Sequence, residues 1–393
     1  MGGDSELLCQ KAYPEFRVLK GALHLTLLMG PVVPVPVPKV VVDALTDVSV
    51  TNAVGSASGF ELKFSLSNDS VFTNLMLLLG QVGPLLRTIL IVIVKGMPEV
   101  VIDGVVTQYQ VTPDVQTGRS TLTLTGSDLT AVLDWIDFTG IPYPAMPPEA
   151  RVALIIAKYA MFGLIPVVIP RILFEVPNPI NRIPSHQGKD LAYINQLAEE
   201  AGYTFFIEPG PAPGTNFAYW GPEFRISPPQ PALNVNMDVH TNVESLNLRF
   251  DASKATLPVV FVQIEELKVT LPLPLPGFNP LAPPLGVIPP MSINVEQLKN
   301  IAHLSIPQAI MRGLKRAADS TSEAVVANGS LDVLRYGNVL KARRLVGVRG
   351  AGQVYDGLYF VKSVTHKIQR GEYKQDFMLA RNGLISTVPV VPT

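Results

Sequence analysis

The sequence predicts a mainly β protein of the α+β class: two related β-domains separated by a mixed helical and β insertion. Three observations predict it. Strand-period alternation marks both ends of the chain, helical periodicity is confined mostly to the middle, and one segment is duplicated. Val101–Gly118 (VIDGVVTQYQVTPDVQTG) set above Val354–Gly371 (VYDGLYFVKSVTHKIQRG), at a constant offset of 253, matches at 7 of 18 positions without a gap. The identities are Val101/Val354, Asp103/Asp356, Gly104/Gly357, Val111/Val364, Thr112/Thr365, Gln116/Gln369 and Gly118/Gly371. Each copy reads as a strand, a turn carrying Asp-Gly, a long strand, a Gly-containing turn and a further strand (Ser120–Thr125 and Tyr373–Ala380). Asp-Gly tolerates the positive φ of tight hairpins and bulges, which explains its recurrence. Two copies are too few for a solenoid.

The elements follow in order. Pro31–Pro38 (PVVPVPVP) cannot be an inner strand or a helix interior, because proline lacks the amide hydrogen both require. Phe60–Ser67 and Thr121–Thr125 alternate strictly and so have one buried and one exposed face. Glu149–Gly163 places Val152, Ile155, Ile156 and Tyr159 on one helical face, with Gly163 as its stop. Lys189–Gly202 does the same with Leu191, Ile194, Leu197, Ala198 and Ala201; Asp190 stands in its first turn and Gly202 ends it. Tyr203–Glu208 and Tyr219–Pro222 read as a hairpin whose aromatics cover that helix, in preference to a sugar-binding platform. Val259–Leu271 (VVFVQIEELKVTL) reads as one long strand, bulged at Glu265-Glu266. Leu271–Pro290 is a second proline-rich stretch. Each proline-rich stretch has two readings, an extended arm against a neighbouring chain or an ordered loop on its own surface. A third helix is expected from near Asn294 toward Arg316, with Asn294 and Gln297 as a capping box.

Composition excludes several functions. With 31 basic against 32 acidic residues and no basic run, the chain of 393 residues has little with which to neutralise nucleic-acid phosphates. Its 47% apolar and 16% charged content is the reverse of disorder. A single cysteine, Cys9, excludes a disulfide scaffold and a thiolate zinc cluster. A mean hydropathy of +0.29 points to surface buried in an assembly. The acidic start Met1–Glu6 predicts no signal peptide. Leu75–Val94 (LMLLLGQVGPLLRTILIVIV) is long enough to span a bilayer. Arg87 near its middle costs at least ~2.5 kcal/mol there, however, and Thr88–Lys95 is a β-branched run typical of a buried strand. An apolar loop feeding a core strand is the preferred reading.

No catalytic, cofactor-binding or metal-ligating residue is assigned. His24, His186, His240, His303 and His366 are scattered, with no close pair. Gly55–Gly59 has Ala57 where a nucleophile elbow needs serine. Ser185-His186 are neighbours only in sequence. Gly347–Gly352 resembles a dinucleotide loop but leads into strand rather than helix. Glu199-Glu200 close a helix as a solvated end.

Gly188–Glu223 (GKDLAYINQLAEEAGYTFFIEPGPAPGTNFAYWGPE) resembles the helix-then-hairpin signature of the phage late control protein D family. These are baseplate hub proteins of contractile phage tails and injection systems, similar to the hub half of type VI secretion spike proteins. Leu331–Leu384 resembles the family's closing barrel and Gly126–Asp134 (GSDLTAVLD) the end of its first. The likeness spans roughly Val40 to Leu384. It implies an N-terminal arm at 1–39, a first tail-tube-like β-barrel at 40–138 and a mixed helix–hairpin region at 139–232. A second barrel follows at 233–393, with a proline-rich and helical insertion at about 271–330. It further implies a non-enzymatic homotrimer without cofactors, joining a six-fold tail tube, or tube-initiator protein, to a three-fold spike among other baseplate proteins. Assembly would occur in the bacterial cytoplasm, before incorporation into the particle. The chain ends nine residues after Leu384, so the spike's needle is expected to be a separate protein. Two rivals are a membrane-anchored β-domain protein using segment 75–94, and a glycan-processing enzyme, for which no carboxylate pair is found.

Overall fold

The computed structural model describes residues 17–19, 23–66, 86–114, 119–171, 183–253, 255–264, 269–275, 283–291, 294–298 and 306–388. The first part of the chain supplies β1 (Leu23–Gly30), β2 (Leu45–Ala53), β3 (Gly59–Leu66), β4 (Arg87–Val94), β5 (Met97–Asp114) and β6 (Arg119–Asp128). Alternation works as the side-chain period requires. On β3, Phe60, Leu62 and Phe64 are buried while Glu61 and Lys63 point out and pair at 2.8 Å. On β4 every residue is buried, which suits its β-branched run for an inner strand.

The middle holds α1 (Pro148–Ala157), β7 (Leu164–Val168), α2 (Asp190–Ala201), β8 (Thr204–Pro209) and β9 (Asn216–Gly221). Both predicted helices form, but the first ends at Ala157, short of Tyr159 and of the expected stop at Gly163, which instead caps a 3-10 turn at Ala160–Phe162. The three strands make a small sheet in the order β8-β9-β7. Val152, Ile155, Ile156, Ile194 and Leu197 share a core with Tyr203 and Trp220, whose rings meet edge-on at 4.8 Å. Those aromatics do cover the helices. Phe206 and Tyr219 stack at 4.9 Å elsewhere on the hairpin.

The last part supplies β10 (Gln230–Asn234), β11 (Ser245–Phe250), β12 (Thr256–Ile264), β13 (Val269–Pro274), β14 (Asn294–Gln297), α3 (Ile306–Thr321), β15 (Val325–Asp332), β16 (Leu345–Arg349), β17 (Gly357–Gln369) and β18 (Glu372–Arg381). One antiparallel path runs β1-β4-β5-β6-β3-β2-β17-β18-β15-β11, and β10 joins through β16. A single apolar cluster runs beneath it from Leu23 to Leu379. Closure of this path into barrels is not seen among the described residues.

Three further expectations are corrected. The long strand over Val259–Leu271 is two antiparallel strands, β12 and β13, with residues 265–268 outside those described. The third helix begins at Ile306, not near Asn294. Asn294–Gln297 is extended along β12, and Pro307 fits a first turn but not the interior of a longer helix. Asp-Gly is a turn in the second copy only, where Gly357 has φ 129° and Asp356 accepts from the Ala351 amide at 2.7 Å. In the first copy Asp103-Gly104 lies within β5, and a Cβ on Gly104 would meet the Ser127 carbonyl oxygen at 2.2 Å. Glycine is needed there for close backbone approach. The preferred reading of Leu75–Val94 is met at its second half, where Arg87–Val94 is a buried core strand, and the rival reading of one helix over the whole segment is thereby excluded. Residues 75–85 lie outside those described. No helix among the described residues is long and apolar enough to cross a membrane.

Prolines sit at edges, as their missing amide demands. Val35 and Pro36 pair with Met29 and Leu28 of β1, so this stretch lies on the chain's own surface. In Leu271–Pro290, Pro272 and Pro274 fall on β13, an edge strand. Gly286–Ile288 pairs with Leu384–Ser386.

Candidate functional site

The duplicated hairpin belongs to a larger repeat. In the first part the sheet order is β4-β5-β6-β3-β2, and in the last it is β16-β17-β18-β15-β11. Chain order matches as well: first and second strands at one side, then three consecutive strands returning on the other. Both hairpins carry a bulge. Thr107 is the extra residue opposite Thr125 and Gly126, and Lys362 is the extra residue opposite Met378 and Leu379. The second hairpin strands therefore correspond at an offset of 253, but the first at 255, because the tip of the second hairpin is two residues shorter. Tyr109 answers to Val364, Gln110 to Thr365 and Val111 to His366.

The two units meet at a seam in which β2 pairs antiparallel with Ser363–Gln369 of β17. Val48 and Val50 bury against the same core as Val364 and Ile368. Opposite them Thr51 and Thr365 bring their hydroxyls to 3.0 Å. His366 is buried in the seam. Its Nδ1 lies 2.8 Å from the Tyr373 hydroxyl and its Nε2 lies 3.3 Å from Asn52 Nδ2. Burial lowers its pKa to about 3, so the ring is neutral across the physiological range.

Buried polar side chains tie these units to the middle region. Arg87 on β4 donates to Asp103 on β5 at 2.7 and 2.6 Å, with both side chains all but fully buried. Asn216 at the start of β9 donates to the same carboxylate at 2.8 Å. Arg87 also reaches the carbonyls of Val32 at 2.9 Å and Gly214 at 3.2 Å. One charge pair thus holds two sheet strands, the small sheet and the proline-rich stretch. Arg343 makes a second junction. Its guanidinium donates to the Ala53 carbonyl of β2 at 2.5 Å and lies 4.4 Å from the Phe206 ring centre, and burial lowers its pKa. Another buried guanidinium is Arg381, which donates to the carbonyls of Gly383, Asp356 and Val354 at 2.8, 3.0 and 2.8 Å.

The sequence motifs fall apart from one another. His24 lies on β1, His186 packs on Tyr193, His240 ends a short turn and His366 is in the seam. Among the described residues no group of three or more His, Cys, Asp and Glu could hold a metal. Cys9 and His303 lie outside those residues. Gly347–Gly352 is the end of β16 and the turn after it, with no helix. Glu199 pairs with Arg312 of α3, and Glu200 accepts from Gln196 at 2.9 Å. Between β8, β9 and the seam lies a cleft of about 660 Å³ lined by Phe206, Tyr219, Lys315, Arg343 and Glu208. Lys315 and Arg343 are already committed to the Tyr203 and Ala53 carbonyls, so the cleft presents buttressing rather than an assembled reactive group. Sequence reasoning missed the Arg87–Asp103–Asn216 cluster. Its one available signal was a lone cation inside an otherwise apolar run.

No family model and no curated protein sequence matches the chain. Solved structures do. A tail protein from Neisseria meningitidis MC58 is 12% identical, aligning over 91% of this chain and 97% of its own at a TM-score of 0.61. The 43 kDa tail protein of prophage MuSo2 from Shewanella oneidensis is 13% identical over 92% and 99%, at 0.59. A component of the type VI secretion system from E. coli is 10% identical over 88% and 77%, at 0.51. The chain has the fold these proteins share, in agreement with the resemblance read from the sequence.

Proposed function

We propose that this chain is a structural baseplate hub: a non-enzymatic homotrimer that joins a six-fold tail tube, or its initiator protein, to a separate three-fold spike. The observation that carries the reading is the repeated five-stranded order within one continuous sheet. Three chains with two like units each offer six quasi-equivalent units to a tube while keeping three-fold symmetry for a spike. The similarity to phage tail proteins and to a secretion-system component supports the setting, a particle assembled in the bacterial cytoplasm. The division at 40–138, 139–232 and 233–393 belongs to the same proposal.

Mechanically, such a hub must pass contraction force between its units without parting them. The buried seam and the Arg87–Asp103–Asn216 cluster suit that work, since both link segments far apart in the chain. Light scattering on the purified chain, alone and co-expressed with tube and spike proteins, tests the reading. The expected mass of the hub is three times 42.5 kDa, with a pseudo-six-fold ring in electron micrographs. A monomer under every condition, with no ring, would overturn it.

A further inference from the structure

The intrachain seam is a template for a second one. On β17 the stretch Ser363–Gln369 has β18 on one side and β2 on the other. The corresponding stretch of β5, Gln108–Asp114, has β6 on one side, and among the described residues no strand on the other. The consequence is visible in burial. Val364 and His366 are 0% and 3% exposed, whereas their counterparts Tyr109 and Val111 are 58% and 39% exposed. At the far end of the sheet β11, the counterpart of β2, pairs among the described residues with β15 alone. Each chain thus carries both halves of an unmade seam, seven strand steps apart and so roughly 30 Å distant along the sheet.

We propose that β11 of one copy pairs antiparallel with the outer half of β5 of the next copy, reproducing the β2–β17 seam between chains. The number of copies rests on the hub reading; the pairing itself rests on the intrachain seam. Register follows by counting. Asp47–Thr51 of β2 lie opposite Lys63–Gly59 of β3, and Ser245–Arg249 of β11 lie opposite Ser330–Val326 of β15. The pairings of β3 with β6 and of β15 with β18 equate Gly59 with Val326. Thr51 then answers to Arg249 and Val50 to Leu248. Carried across the seam, Arg249 stands opposite Gln110, Leu248 opposite Val111 and Phe250 opposite Tyr109. The faces agree. Leu246, Leu248 and Phe250 turn toward the core while Ser245, Asn247 and Arg249 are exposed, the same alternation that β2 shows with Val48 and Val50. Pairing removes two open sheet edges, each otherwise a template for uncontrolled association.

Cysteine cross-linking of the full chain tests the register, with Cys9→Ser as background. Gln110→Cys with Arg249→Cys copies the site of the Thr51–Thr365 contact, where the hydroxyls are 3.0 Å apart. Mild oxidation should convert most of the protein to covalent dimers and trimers. Gln110→Cys with Asn247→Cys, two residues out of register, should cross-link at least tenfold more slowly. A trimeric mass with no preference for the first pair overturns this seam and leaves the hub standing; a monomer with and without spike overturns both. Val111→Asp provides a second measurement, since that side chain is already exposed in the single chain. It should leave the circular dichroism spectrum of the single chain unchanged while weakening association at least tenfold, and unchanged association would count against the seam.

Discussion

Arg87 pairs across the ladder with Val105, yet its guanidinium reaches Asp103, two residues further on, and closes a two-pronged ion pair at 2.7 and 2.6 Å. The diagonal geometry matters because it leaves one carboxylate oxygen able to accept from Asn216 as well. A buried cation without its counter-charge is costly in a low-dielectric interior. Asp103→Asn should therefore destabilise the fold by about 3–5 kcal/mol, the usual cost of removing one partner of such a pair. Replacing both residues with apolar ones of similar volume should recover part of that loss. Urea denaturation midpoints decide it, and a loss under about 1 kcal/mol would mean the pair is solvated.

His366 predicts the acid limb of stability. Its pKa is about 3 when folded against an ordinary 6.5, so below pH 6.5 the unfolded chain binds a proton that the folded chain refuses. Stability contributed by the neutral ring is complete above pH 6.5 and falls as pH drops toward 3. The slope is about 1.4 kcal/mol per pH unit for one such group, or about 2 kcal/mol between pH 6.5 and 5. The ring's polar neighbours are Tyr373, Gln375 and Asn52, none of which supplies a negative charge to hold the proton. His366→Gln should flatten that limb relative to the parent chain. Parallel pH profiles for the two proteins would refute the assignment.

Much of this architecture was legible in the residues, for identifiable reasons. Strict alternation at Phe60–Phe64 and Leu122–Leu124 encodes one buried face. The helix stop at Gly202 is local chemistry too, with a φ of 72°; Gly163 has the same φ but closes a short 3-10 turn at Ala160–Phe162, beyond the end of α1. The duplication was also visible, but the five identities on β5, at Val101, Asp103, Gly104, Val111 and Thr112, were each misplaced in space by two residues. Asp103-Gly104 and Asp356-Gly357 align as letters, while the bulges show that the first hairpin strands are offset by two residues. A gapless comparison cannot detect a shortened hairpin tip. The buried cluster was hidden for another reason: Arg87, Asp103 and Asn216 are up to 129 residues apart, and only tertiary packing brings them together. Helix periodicity near Asn294 failed because Val295 stands on a strand whose partner, β12, is also remote.

Arg381 is fully buried, and among the described residues no carboxylate stands in ion-pair contact with it; instead it satisfies three backbone carbonyls and lies 4.6 Å from the Tyr359 ring centre. Burial lowers its pKa, and the lost hydration is offset by donors set in a planar fork. Lysine carries the same charge but presents a point ammonium. Arg381→Lys should thus leave at least one carbonyl without its donor, for a loss of about 1–3 kcal/mol. A melting temperature within one degree of the parent would show that the charge alone suffices.

Gly163 separates two costs that glycine substitutions usually confound. It has φ 72°, and a Cβ there would sit 1.8 Å from the carbonyl oxygen of Gly214, the oxygen that accepts from Arg87. Gly188 has nearly the same φ, 71°, with nothing within 4 Å of its Cβ position. Alanine at Gly188 therefore carries only the left-handed backbone penalty, about 1–2 kcal/mol. Alanine at Gly163 adds the clash, displaces residue 214 and disturbs the amide of Asn216, which donates to the Gly163 carbonyl at 2.9 Å. The Gly163 variant should be the less stable of the two by at least about 1 kcal/mol, the net worth of one hydrogen bond. Its urea transition should also respond less to Asp103→Asn than the parent's does, since the two changes loosen the same cluster. Strict additivity in that double-mutant cycle would mean the turn and the ion pair act independently.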